Sequence, residues 1–249
     1  MSKTVWITGA GKGIGRALAL VMAADGWTVA ASARTKADLA SLALESGTGA
    51  VHGFPLDVTD EAATRTALAE IEEKLGPLDL AVLNAGTHRP MGAADFSVET
   101  VRTLVETNLM GTIHGLAALL PVLRGRRQGH IAVVASVAGY RGLPTSAAYG
   151  ATKAALINMC EALKPELDRD GVALSLVNPG FVETPLTDKN EFPMPFLISA
   201  EEAAETIYKG LKARKFEIVF PRRFAIVMKL VRVLPHRLLF FFTSRMVTS

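Results

Sequence analysis

The sequence predicts an α/β fold, a doubly wound parallel sheet of about seven strands with helices on both faces. Three observations carry that expectation. Short β-branched or apolar runs alternate strictly with longer helical patterns. A glycine-rich turn joins the first run to the first helical pattern. No repeat, low-complexity segment or linker divides the chain.

The elements follow in order. Thr4–Thr8 leads into a helix near 13–25, Thr28–Ser32 into 36–46, and Ala50–Phe54 into 60–75. Leu78–Leu83 precedes a long helical pattern at 97–123, His130–Ser136 one at 146–168, and Ala173–Asn178 one at 200–213. Phe216–Phe220 is the last strand candidate. Strict strand–helix alternation calls for crossover helices between parallel strands, and right-handed crossovers put helices on both faces. Ligands of such sheets bind at the carboxyl ends of the strands.

The chain has 249 residues, 49% of them apolar, enough for a large single core. A lone Cys160 excludes an internal disulfide and fits a reducing compartment. The opening residues MSKTVWITGAG carry no charged region followed by an apolar run, and no stretch of 18 or more uncharged apolar residues appears. Neither a signal peptide nor a spanning helix is therefore expected, and the expected location is cytoplasmic. A net charge of +3 does not argue for nucleic acid. No metal site is expected.

The turn after the first strand reads Thr8-Gly9-Ala10-Gly11-Lys12-Gly13-Ile14-Gly15. Glycines let backbone approach a pyrophosphate, and the following helix presents free N–H groups to it. Gly9, Gly13 and Gly15 are spaced G-x-x-x-G-x-G, unlike the usual dinucleotide fingerprint. The second strand ends in Ala33-Arg34-Thr35, with no carboxylate to meet a ribose 2′-OH. Arg34 and Lys12 suit a 2′-phosphate, so NADP(H) is favoured over NAD(H).

Tyr149 stands four residues before Lys153 in Ser-Ala-Ala-Tyr-Gly-Ala-Thr-Lys, on one face of a helix. At about 5 Å and an effective dielectric of about 20, one positive charge contributes on the order of 3 kcal/mol. Lys153 is thus expected to bring the Tyr149 phenol down towards neutral pH as a proton donor and acceptor. Further marked residues end the other strands: Leu56-Asp57-Val58, Leu83-Asn84-Ala85-Gly86, Ser136, and Asn178-Pro179-Gly180-Phe181-Val182-Glu183-Thr184. Asn108 lies within the long helical pattern.

Together these motifs, in this order and at these spacings over about residues 4–220, resemble the short-chain dehydrogenase/reductase family in its shorter single-domain branch. The resemblance implies a seven-stranded Rossmann-type sheet and a catalytic set of Asn108, Ser136, Tyr149 and Lys153. It implies that Tyr149 exchanges a proton with a carbonyl oxygen as hydride passes to or from nicotinamide, with Ser136 bonding the same oxygen. Lys153 would lower the Tyr149 pKa and hold the nicotinamide ribose, and Asn108 would hold a water. Asp57 and Val58 would meet the adenine. Asn84, Ala85 and Gly86 would line the adenosine ribose, and Pro179, Gly180, Val182 and Thr184 the nicotinamide. The chain departs from the family pattern at Gly11, where serine is frequent, and at Leu83, where asparagine is. Pro165 is expected to kink or end the catalytic helix.

An apolar carbonyl or alcohol is the expected substrate, in a pocket drawn from Val137, Gly139, Tyr140, Leu143, Phe181 and Phe192, with His88 and Arg89 as weaker candidates. A sensor or scaffold that binds NADP(H) without turning over is the alternative. A sugar-nucleotide epimerase or dehydratase fits less well, since 249 residues leave little room for a substrate domain.

The oxidoreductase domain is expected to span residues 1–220, with 221–249 a basic amphipathic extension. Lys209 to Arg245 holds ten cations and one acid, Glu217. On a helix of 100° per residue, Arg222, Lys229, Arg232 and His236 fall within about 80° of one another, with Pro235 breaking the run. The extension is expected to pack on the domain or a partner subunit of a homodimer or homotetramer, with peripheral contact to a membrane as the alternative.

Overall fold

The computed structural model describes residues 2–187 and 194–247. Seven parallel strands form one sheet in the order β3-β2-β1-β4-β5-β6-β7. They are β1 (Thr4–Thr8), β2 (Thr28–Ala33), β3 (Val51–Pro55), β4 (Leu80–Leu83), β5 (His130–Val134), β6 (Ala173–Pro179) and β7 (Glu217–Phe220). The direction of strand order reverses between β1 and β4, which opens a crevice at their carboxyl ends.

The period of two along each strand divides the core. In β1, Trp6 faces one layer, while Val5 and Ile7 face the other; all three are fully buried. On the Trp6 side lie α3 (Glu61–Leu75), α5 (Gly111–Arg126) and α6 (Ala147–Arg169), contributing Leu68, Leu119 and Leu156 among others. On the opposite side lie α1 (Gly13–Ala24), α2 (Lys36–Ser46) and α7 (Ala200–Lys212), with Leu18, Leu42 and Ile207. Side-chain caps start three helices: Asp60 accepts from Ala63 N–H, Ser97 from Thr100 N–H, and Ser199 from Glu202 N–H.

Two expectations are corrected. The pattern at 97–123 is not one α-helix: α4 (Val98–Leu104) passes into a π-turn at Val105–Met110 before α5 begins. A π-turn sits inside an α-helix as a single local bulge, which residue spacing alone did not single out. Nor does Pro165 end its helix, since α6 continues to Arg169. Beyond β7, α8 (Arg222–Val233) and α9 (His236–Thr243) are separated at Leu234 and Pro235. Phe224 and Met228 of α8 are buried in the Trp6-side core.

Candidate active site

The β1–α1 loop is built around bare backbone. Gly9 and Gly13 take φ of +68° and +55°, where a side chain is disfavoured. A Cβ at Gly15 would lie 2.5 Å from Asn84 Nδ2 and nearer still to Gly9 O. Asn84 supplies the brace from β4. Its Nδ2 donates to Thr8 O at 3.0 Å and Gly9 O at 3.3 Å, while Thr8 Oγ1 accepts from the Asn84 and Ala85 amides at 3.0 and 3.1 Å. Arg16, one turn into α1, donates to Gly11 O and Asp38 O. Neither Thr8 nor Arg16 was singled out from sequence, because each acts through backbone carbonyls or amides rather than through a motif.

Arg34 follows β2 directly, is exposed, and makes no ion pair among the described residues. Lys12 is exposed and stands 3.7 Å from Asp38. Asp38 is thus a carboxylate close to the loop that the search at the end of the second strand did not weigh. Asp57 folds into a tight turn, its Oδ1 accepting from Thr59 N–H and Oγ1–H. Val58 is buried, and its carbonyl is 2.9 Å from His114 Nδ1.

The remaining side chains meet at the ends of β4, β5 and β6. Ser136 caps a short turn, Val137–Gly139, its Oγ accepting from Ala138 N–H at 3.1 Å and donating to Pro179 O at 3.4 Å. A Cβ at Gly139 would lie 2.7 Å from the Lys153 carbonyl carbon, so glycine there lets α6 approach this turn. Gly139 is a packing glycine in this sense. Lys153 is 4% exposed, donates to Val134 O at 2.9 Å, and stands 5.8 Å from the Tyr149 ring centroid. Asn108, fully buried on the π-turn, accepts from Thr87 N–H at 2.7 Å and donates to Thr87 O at 3.0 Å and Thr152 Oγ1 at 3.3 Å. Asn108 Oδ1 and Lys153 Nζ flank the bare face of Gly86, 3.3 and 3.6 Å from where its Cβ would stand.

Burial pushes the Lys153 ammonium down to about 8. The expectation that Lys153 lowers the Tyr149 phenol is not met. Part of the tyrosine reaches the surface, yet desolvation still pushes its phenol up, with only the Ser136 hydroxyl opposing. The sequence argument counted a charge and could not count the water removed from around it. His88, buried, meets the Tyr149 ring edge-on at 4.6 Å.

These groups enclose a cavity of ≈ 300 Å³. Gly9, Lys12, Gly13 and Ile14 form one wall, Asn84 and Gly86 the end of β4, and Ser136, Tyr149 and Lys153 the reactive side. Pro179, Gly180, Val182 and Thr184 close it, joined by Leu186 and Thr187, which sequence reasoning did not mark. Gly11, Gly15, Arg34, Asp57, Val58, Ala85 and Asn108 lie around it rather than on its lining.

The expected substrate residues distribute differently. Val137 and Tyr140 belong to the core, and Leu143 and Phe181 pack against its edge. The Tyr140 hydroxyl donates to Glu217 and accepts from Asn178 Nδ2, and burial pushes its phenol up strongly. Phe181 stacks at 5.3 Å on Phe224 of α8. Phe192 lies outside the described residues.

Comparison with known proteins decides the family. The short chain dehydrogenase family matches residues 3–193. The chain belongs to the short-chain dehydrogenase/reductase family. It is 39% identical over 238 residues to an uncharacterized oxidoreductase of Myxococcus xanthus, covering 95% of this chain and 94% of that one. An uncharacterized oxidoreductase of Staphylococcus epidermidis is 33% identical, over 84% of this chain and 90% of its own. Among solved structures, a short chain dehydrogenase/reductase from Burkholderia phymatum in complex with NAD superposes with TM-score 0.84 at 26% identity, covering 92% of both chains. ElxO with NADP bound gives TM-score 0.80 at 26% identity, over 88% of this chain and 98% of that one. Family membership makes the chain an oxidoreductase with a nicotinamide cofactor. The residues present fit that group: the strained glycine loop, the braced β4 end and the bare Gly86 leave backbone open where a cofactor must approach.

Proposed function

We propose that this chain is an NADP(H)-dependent reductase that interconverts an apolar carbonyl compound and its alcohol. The observation that carries the reading is the convergence of Ser136, Tyr149 and Lys153 with the glycine loop on one cavity. Bound nicotinamide would supply or accept the hydride. Gly9, Lys12, Gly13 and Ile14 would hold the diphosphate, and Pro179, Gly180, Val182 and Thr184 the nicotinamide end. Arg34, unpaired among the described residues, supports the 2′-phosphate and hence NADP(H) over NAD(H); Asp38 near Lys12 works against it.

The raised phenol of Tyr149 keeps its proton at neutral pH, the form required to donate to a carbonyl oxygen during reduction. Ser136 Oγ–H has a long bond to Pro179 O at 3.4 Å to give up before turning to the same oxygen, and its hydroxyl already interacts with the Tyr149 phenol. Lys153 would place its positive charge beside the developing alkoxide. Asn108 fixes the Thr87 backbone, and so the chain leaving the β4 end. The apolar substrate class is supported by Ile14, Val134, Ala135, Val182 and Leu186 on the cavity lining. A homodimer or homotetramer acting on a small carbonyl or alcohol is part of the same proposal.

The test is NADPH oxidation against a panel running from short aldehydes to steroids and long-chain ketones. One apolar class should be consumed, with NADPH preferred to NADH, and Arg34→Ala should reduce that preference by about tenfold. NADPH binding without turnover on any carbonyl, with Tyr149 dispensable for the biological output, would instead favour a sensor.

A further inference from the structure

The extension beyond β7 is apolar on two sides. Phe224, Ala225 and Met228 point into the domain, and so does Leu239 of α9. On the far side of α8, Ile226, Val227, Leu230 and Val233 span about 120° of the helix at 100° per residue. Ile226, Leu230 and Val233, with Phe240, Phe241 and Phe242 of α9, are each between 53% and 75% exposed. Single exposed apolar residues need no explanation, but six on two consecutive short helices do.

The unpaired charges around this face share one sign. No acidic residue follows Glu217 in the sequence. Lys229 and Arg232, which share one helix face, are exposed but pair with Glu217 and Glu161. Other cations of the extension lack such partners. Arg222, Arg223 and Arg237 make no ion pair among the described residues, and Arg245 stacks 3.7 Å from the Phe241 ring centroid. Arg222 and Arg223 open α8, Arg237 opens α9 and Arg245 follows it, none of them paired with a carboxylate among the described residues.

We propose that the outward face of α8 and α9 docks on an anionic lipid bilayer, lying in the headgroup region with Ile226, Leu230, Val233 and the three phenylalanines turned towards the acyl chains. A second copy of this chain fits less well, because a twofold contact sets arginine against arginine. Lipid phosphates complement those arginines. The helices lie on the bilayer and do not cross it: α8 has 12 residues and α9 has 8, and no described helix is long and apolar enough to span. The N-terminal turn of α8 meets the active-site wall, where a Cβ on Gly180 would come 2.7 Å from the Phe224 ring. The bound surface would thus lie beside the cavity. The proposal stands on the surface alone and holds whether or not Tyr149 acts as the proton donor.

The experiment is sedimentation of the full chain with vesicles of phosphatidylcholine alone and of phosphatidylcholine containing about a third phosphatidylglycerol. The chain should pellet with the anionic vesicles, and high salt should release it. Arg222→Glu combined with Arg223→Glu should weaken that binding by at least about tenfold, and Ile226→Ser combined with Leu230→Ser should abolish it. Both pairs are exposed, so Tm and NADPH affinity should stay at wild-type values. If the serine pair loses the fold, Val233→Ser with Phe241→Ser takes its place. Full-length protein left in the supernatant would overturn the proposal, as would binding indifferent to lipid charge and to the arginine reversals. Vesicle-free behaviour in which the serine pair turns a wild-type oligomer into monomers, with no lipid binding by the wild type, would assign the face to a second copy.

Discussion

At the scale of single residues, the site is governed by what burial does to charge. Lys153 loses its water and keeps one hydrogen bond, to Val134 O at 2.9 Å, so its ammonium falls to about 8. Because its folded pKa lies below the unfolded value, the unfolded chain binds more protons between about pH 8 and 10.5, and stability rises with pH there. Removing the charge should stabilise the fold and destroy the chemistry together. Lys153→Met is expected to gain on the order of 1–3 kcal/mol in denaturant unfolding at pH 7 while losing turnover. For the wild type, the kcat/KM of reduction should decline as pH rises through about 8, since that ratio reports free-enzyme ionisations. The sequence located the Tyr149–Lys153 pair, because i and i+4 spacing is visible in it. It gave the wrong direction for the Tyr149 phenol, because desolvation depends on Ser136, Val134 and the strand ends packed around the pair, which are remote in sequence.

At the scale of elements, the site depends on how the helices are held against the strand ends. Glu217 of β7 ties the Ser136 turn, β6 and α8 together. It accepts from Tyr140 beyond the Ser136 turn, from Asn178 Nδ2 of β6 at 3.3 Å, and pairs with Lys229 of α8. Burial works against its charge, yet these bonds keep its carboxyl below the ordinary range. Glu217→Ala should leave the Tyr140 hydroxyl and Lys229 without this partner and lower stability by roughly 2 kcal/mol. Thermal melts should show that loss, together with weaker NADPH binding as the β6 end loosens. Sequence reasoning assigned Tyr140 to a substrate wall because it follows Ser136 closely. Its partners, 38 and 77 positions away, were not legible. The π-turn at Val105–Met110 also escaped the sequence reading, which took 97–123 as one helical pattern.

At the scale of the whole molecule, the seven-stranded parallel sheet with helices on both faces was legible because strand–helix alternation implies it. Val5, Trp6 and Ile7 each fall in the layer that a period of two requires. The orientation of the tail was not. The ion partners of Lys229 and Arg232, Glu217 and Glu161, were not visible in the spacing that put both cations on one face. Another long-range group sets acid tolerance. His130, at the start of β5, sits 2.8 Å from Ser175 Oγ, which donates to Lys215 O. Burial, with Arg214 nearby, holds its imidazole down at about 4. Between about pH 6.5 and 4 the unfolded chain therefore takes up a proton that the native one refuses, and stability should fall as pH falls through that window. His130→Gln should flatten this dependence, measured by urea unfolding at stepped pH.

The central claim is that Tyr149 supplies the proton while the rest of the cavity holds the cofactor. One comparison tests it most directly: NADPH affinity and turnover in Tyr149→Phe against wild type, on the carbonyl class that the wild type reduces. The account predicts a dissociation constant within about threefold of wild type and a kcat lower by about 10²-fold or more, the usual size of a lost acid–base group. A variant that keeps turnover within about tenfold while binding NADPH normally would contradict it, since the proton would then have to come from another group in the cavity.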